Sequence, residues 1–157
     1  MRINLLCIGK TASAEIRGLL EYYRIRLPRH WNFELIEIPD VRNAGNLSPD
    51  LLKKEEAKLF SNQIEPSDIT VLLDENGKQY SSREFAAKMD VWMNSSVKKI
   101  NFLIGGAYGF APELHHQANE KLSLSRMTFT HQMIRLFFVE QLYRADQILQ
   151  GKPYHND

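Results

Sequence analysis

The chain has 157 residues, 43% of them hydrophobic and 25% charged, with a formal net charge of +1. That balance excludes a disordered chain, and a sequence of this size is expected to bury roughly 68–70% of its unfolded surface around one core. The opening residues MRINLLCIGK hold an apolar run interrupted by Asn4, too brief for a signal-peptide core and far short of the roughly 20 apolar residues of a membrane span, so a cytosolic protein without membrane contact is expected.

INLLCI, residues 3–8, reads as a buried strand. Its Cys7 is the only cysteine and cannot form an internal disulfide; inside an apolar strand it reads as a small buried hydrophobe. Ile16, Leu19, Leu20, Tyr23 and Leu27 then recur at helical spacing as one apolar face, and Pro28 ends that helix. FELIEI (33–38) alternates as a second strand, and PDVRNAGNL is a polar loop. Ser48 followed by Pro49 predicts a capped helix start, with the helix running to about Asn62. DITVLL (68–73) predicts a central strand closed by a turn at ENG, 75–77. Ser81 and Glu84 have capping-box spacing, and Phe85, Met89, Trp92 and Met93 supply the buried stripe of the helix they open. INFLI (100–104) is the fourth strand. A short helix after Pro112, a short apolar stretch at 121–125 and a long helix from about His131 to Gln150 follow.

Alternation of strand and helix along the whole chain predicts a single α/β domain over residues 1–157, with a parallel or mostly parallel sheet and helices on both faces. In such sheets ligands sit beyond the carboxyl ends of the strands, which directs attention to the loops after Ile8, Leu73, Ile104 and Leu124.

Two nucleotide motifs are approached and missed. GKT at 9–11 ends like a phosphate-binding P-loop, but Asn4 stands where the first glycine is needed. GGAYG at 105–109 lacks the G-x-G-x-x-G order and lies in the fourth unit rather than the first. A glycine pair at a strand end still lets a ligand approach the backbone, since no Cβ blocks it; a tight turn is the equal alternative.

The last helix, HQMIRLFFVEQLYRADQIL, is apolar nearly all round, more than one core-facing stripe requires, and a second copy of the chain is the economical cover. Glu140 and Arg144 form a favourable i,i+4 pair. His131 and Arg135 share a face of the same helix, and Tyr154 and His155 follow in the tail. His115 and His116 are adjacent on a helix and point apart, so no metal site is expected. Residues 1–30 carry six Lys or Arg against two acids, and 121–157 carry five against three; two such ends can converge into a phosphate-facing surface, although solvated helix faces are the commoner explanation.

The combination LIGGAYGF, LSLSRMTFTHQMIRLFFVEQLYRA and GKPYH closely resembles the RlmH (YbeA-like) family of the SPOUT superfamily, methyltransferases that act on a pseudouridine of large-subunit ribosomal RNA. The likeness extends from INLLCIGK to YHND. It implies the SPOUT fold with a C-terminal deep trefoil knot, a homodimer, S-adenosylmethionine as methyl donor and no metal. By motif, the donor would meet Leu73, Gly105 and the run Leu124, Ser125, Arg126, Met127, Thr128 and Phe129. Arg144 would stabilise negative charge on the target base, and Tyr154 and His155 would contact that base or pass on its proton. His131 and Arg135 are expected at the dimer interface or on an RNA phosphate. Arg17, Arg24, Arg26 and Arg29, with the C-terminal bases, would form a surface spanning the dimer for RNA in an assembled ribosome. Where many relatives have proline before the histidine, this chain has Thr130, whose side chain is expected to cap the last helix. Its tail also ends in Asn156 and Asp157 rather than in a base. Another RNA acceptor such as transfer RNA, or a ribosome-binding dimer without activity, are the competing readings.

Overall fold

The computed structural model describes residues 1–154. Strands β1 (Arg2–Ile8), β2 (Glu34–Ile38), β3 (Ile69–Gln79), β4 (Lys99–Ile104) and β5 (Glu120–Ser123) alternate with helices α1 (Ala14–Arg24), α2 (Pro49–Ser61), α3 (Ser82–Met93), α4 (Pro112–Gln117) and α5 (Met133–Leu149). The strands form one sheet in the order β2-β1-β4-β3-β5, and its pairings are all parallel. α/β alternation therefore leads to a fully parallel sheet, the stricter of the two expectations.

Period-two alternation in the strands divides the core between the two faces of the sheet. Ile3, Leu5, Cys7, Val71 and Phe102 pack with Phe85 and Met89 of α3 and Phe138 and Leu142 of α5. Leu6, Ile8, Leu72 and Leu103 pack with Ala57 and Phe60 of α2 and Leu114 of α4. The second face also carries a polar stripe. Asn4 and Asn101 are register partners in β1 and β4, and the Asn4 amide donates to the Asn101 carbonyl at 2.9 Å. Asn101 in turn donates to Asp68 at 2.9 Å, which Lys99 meets at 2.9 Å.

The caps form as their sequences predict. Ser13, Ser48 and Ser81 accept the amides of Ile16, Leu51 and Glu84, and Glu84 completes its box by accepting the amide of Ser81. α5 starts two residues later than the periodicity suggests, at Met133. The Thr130 hydroxyl accepts the Met133 amide at 3.1 Å, and the Thr130 carbonyl accepts that of Ile134 at 3.0 Å, so the threonine does serve the start of the helix. The α1 stripe is narrower than expected. Leu20 is buried, whereas Leu19 is 47% exposed.

β3 departs most from expectation. The ENG sequence does not close the strand: pairing resumes after it, and Leu73 and Lys78 both lie opposite Leu122. Residues 74–77 form a bulge, with the Asn76 amide donating to the Asp74 carboxylate at 2.8 Å. Turn-forming residues also suit a bulge, because both need a local break in the ladder. Gly77 permits it, since a Cβ there would lie 2.7 Å from the Leu122 backbone.

Candidate active site at the carboxyl ends of the strands

β5 lies at one edge of the sheet, while the start of α5 is fastened near β1. Gln132 donates to the Lys10 carbonyl at 3.1 Å and accepts the Ala12 amide at 2.9 Å. Arg135, fully buried, donates from Nη2 to the Ile8 carbonyl at 2.8 Å and from Nη1 to the Thr11 hydroxyl at 3.0 Å, with the Glu37 carboxylate at 3.4 Å. Residues 124–132 must therefore cross the carboxyl ends of β3 and β4 to reach β1. The Ser123 hydroxyl donates to the Ser125 carbonyl at 2.8 Å, and the Ser125 hydroxyl accepts the Met127 amide at 2.9 Å, which shapes the start of this crossing.

Between the crossing segment and the loop after β4 lies a cleft of about 820 Å³. The loop doubles back on itself. Gly109 takes φ +75° and donates its amide to the Gly106 carbonyl at 3.1 Å, and a Cβ on Gly105 would meet the Gly109 backbone at 3.1 Å. The tight turn is therefore formed, and its backbone also lines the cleft. Tyr108 on this loop is 56% exposed, whereas Phe110 is buried against Phe60 and His115.

Of the residues assigned to the donor, Leu73 and Gly105 line the cleft from the sheet side, and Leu124, Ser125, Met127, Thr128 and Phe129 line it from the crossing segment. Arg126 is exposed on the same segment and is not part of the wall. His131 lines the cleft. Arg135 corrects its expectation of an interface or RNA contact: its guanidinium is a core fastening with four protein acceptors, including the His131 carbonyl at 3.0 Å. On α5 it shares one buried stripe with Phe138, Val139 and Leu142.

Arg144 and Tyr154 come together around one carboxylate. Glu140 Oε1 accepts from Arg144 Nη2 at 2.7 Å, from Arg144 Nε at 3.1 Å and from the Tyr154 hydroxyl at 3.2 Å. The guanidinium lies 5.0 Å from the Tyr154 ring centroid. Burial, reinforced by Tyr23 and by the Glu140 charge, pushes the Tyr154 hydroxyl well above the usual phenol range, so it stays protonated. This group stands apart from the cleft of its own chain. Arg144 is ten residues beyond the cleft residue Ile134 on α5, roughly 15 Å along the axis. A smaller cavity of about 360 Å³ shares Leu122, Leu124 and Phe129 with the cleft and reaches Glu140. His155 lies outside the described residues.

Two features, one in the cleft wall and one behind it, were not assigned to this site from the sequence. His115 Nε2 is 3.8 Å from Asp74, and both line the wall. Glu56 of α2 lies buried behind the glycine loop. Cys7 is buried as expected; burial, with Glu37 adding to it and Arg135 opposing it, pushes its thiol up to about 11, which leaves it a neutral packing group.

A parallel sheet, a glycine loop after the fourth strand and a cleft closed by the chain's own C-terminal crossing define a class, and comparison with known proteins identifies it. The family described as "Predicted SPOUT methyltransferase" matches residues 1–155, and the chain belongs to that family. It is 47% identical over 156 residues to the ribosomal RNA large subunit methyltransferase H of Christiangramia forsetii, covering 99% of each chain. It is 46% identical, with the same coverage, to the protein of that name from Flavobacterium johnsoniae. Among solved structures, "a probable methylase family protein" from Haemophilus influenzae Rd KW20 shares the fold, with a TM-score of 0.57 at 13% identity, over 99% of this chain and 70% of that one.

Proposed function

We propose that the protein methylates N3 of a pseudouridine in large-subunit ribosomal RNA, with S-adenosylmethionine as donor and as a homodimer acting on the assembled ribosome. The observation that carries this reading is the cleft itself, built from seven of the eight positions the family motif assigns to the donor in a chain that aligns end to end with ribosomal RNA methyltransferases. The donor fits the residues present. A volume of about 820 Å³ is in the range of small-ligand sites, Leu73, Ile104, Leu122, Leu124 and Ile134 offer apolar walls for an adenine, and the Gly105–Gly106 backbone is bare of side chains.

When bound, the donor supplies a methyl group on a sulfonium that leaves as a neutral thioether. The chain's own residues must do the rest: hold the acceptor in line, and favour loss of the N3 proton from the base. Arg144 supplies fixed positive charge for the resulting anion. Tyr154, protonated, offers a hydrogen-bond donor to the base, and His155 is the candidate to carry the proton away. The separation of Arg144 and Tyr154 from the cleft of their own chain supports a site completed by the partner's tail. Met127, Phe129, Phe137 and Leu149 are exposed at 75%, 41%, 38% and 38%, which supports a second copy as their cover. The crossing of residues 124–132 over β3 and β4 supports the threaded topology. Arg17, Arg24, Arg26 and Arg29, all exposed, are available to RNA phosphates.

The test is methyl transfer in vitro to 70S ribosomes, free 23S RNA and transfer RNA, with mass spectrometry of the product nucleoside. Methylation of ribosomes at one pseudouridine is expected. Methyl on transfer RNA would redirect the acceptor, and absence of donor binding by calorimetry would leave a ribosome-binding dimer without activity.

A further inference from the structure

Glu56 sits on the buried face of α2, 6% exposed. Its carboxylate lies against the Gly106 backbone, whose amide favours the charged form, while the nearby charge of another acid, Asp40, disfavours it. Burial drives its carboxyl above the usual range, a bias that the Gly106 amide only partly opposes. A carboxylate in such a place costs stability unless pairing or hydrogen bonding compensates its lost hydration. A Cβ built on Gly106 would lie 2.7 Å from Glu56 Oε2 and closer still to Oε1, so the carboxylate fills the space a side chain at 106 would take. Gly106 is the second glycine of the pair that walls the cleft, and its carbonyl accepts the Gly109 amide that closes the loop.

We propose that Glu56 is a positioning residue of the donor site: packed in the space beside Gly106, it supports from the far side of the loop the backbone wall from Gly105 to Gly109 against which the methyl donor binds. Glu56 lies outside the cleft lining and touches no reacting atom, so its influence is on donor binding and not on the transfer step. The inference rests on the proposed S-adenosylmethionine site.

Calorimetry with S-adenosylhomocysteine and steady-state methyl transfer on the full chain test it. Glu56→Asp withdraws the carboxylate by one methylene from the space beside Gly106 while keeping its charge, and is expected to raise the donor Kd and KM about tenfold, the scale of one polar contact to a charged group, with kcat at saturating donor within about twofold of the parent. Glu56→Gln keeps an acceptor oxygen at full length and should bind the donor within about threefold of wild type. Gly106→Ala should weaken binding in the wild-type background and add little in the Glu56→Asp background, where the clash has been relieved. Wild-type affinity in Glu56→Asp, or a Glu56→Gln as weak as Glu56→Asp, overturns the proposal. If wild type itself binds no donor, the donor reading fails, and amide exchange of Gly106 decides this one. At least about tenfold faster exchange in Glu56→Asp supports it, and equal exchange overturns it.

Discussion

Arg135 of α5 donates to the main-chain carbonyl of Ile8, the last residue of β1, at 2.8 Å and with no exposure to solvent. This contact joins residues 127 positions apart and sets where the C-terminal helix begins. It makes residues 124–132 a roof over the strand ends instead of a free loop. A cation placed there must find every acceptor inside the protein, and the Ile8, Thr11, Glu37 and His131 oxygens provide them. Replacing Arg135 by Met leaves the Ile8 carbonyl and part of the Glu37 charge without a partner. A loss of about 3 kcal/mol is expected, read as a fall in Tm of about 10 °C for a chain of this size, together with weakened donor binding. Calorimetric melting with and without S-adenosylhomocysteine checks both; a Tm within 2 °C of wild type, roughly the span of a neutral surface change, would sink the fastening role.

Gly77 is the second pinning point of the cleft. Its Cβ-free face lies against the Leu122 backbone where β3 rejoins β5 after the bulge. Gly77→Ala forces that pair apart and is expected to destabilise the fold by about 1–3 kcal/mol. A surface glycine such as Gly45, with nothing within 4 Å of its Cβ position, should tolerate alanine with a change under about 0.5 kcal/mol. Urea unfolding of the two variants side by side makes the comparison.

The Asp68 cluster gives a pH signature. Burial alone would raise the Asp68 carboxyl, but the Glu65 amide, the Lys99 ammonium and the Asn101 amide outweigh it and hold the group below its ordinary value. A carboxyl depressed in the folded state contributes stability above its unfolded pKa, near 3.9, and loses that contribution as pH falls through the folded value. The stability difference between wild type and Asp68→Asn should be largest near neutral pH and shrink toward pH 3. Urea midpoints at pH 7, 4 and 3 follow it, and a difference that grows on acidification would contradict the assignment.

Arg144 and Tyr154 share Glu140 Oε1 in one chain, away from that chain's cleft. Arg144→Ala is expected to lower kcat by about 10²–10³, the scale seen when one charge-stabilising group is removed from a reaction centre, while leaving the donor Kd within about twofold. In heterodimers mixing Arg144→Ala with a cleft-blocked Gly105→Leu chain, restored activity would place Arg144 in its partner's site; activity no greater than background would place it in its own.

Much of the fold was legible because the signals were local. Ser48-Pro49 and Ser81 with Glu84 cap helices through bonds between residues three apart. Apolar runs such as 100–104 can satisfy their backbone only as interior strands, and the absence of any dinucleotide or P-loop motif at positions 4–11 and 105–109 was a fact of residue types. The family's donor positions could be carried over residue by residue, and seven of them line one cleft. Long-range geometry was not legible. Whether ENG at 75–77 closes a strand or bulges within one depends on the Leu122 backbone, about 45 residues away. Whether Arg135 meets solvent or core depends on the Ile8 carbonyl, and whether Glu56 is a helix-surface acid or the support of a glycine loop depends on where Gly106 comes to rest. In each case the side chain's chemistry was plain in the sequence. Its role was decided by the partner that tertiary packing placed within hydrogen-bond or van der Waals reach, because a charged or Cβ-free position acquires its energetic meaning only from what is buried beside it.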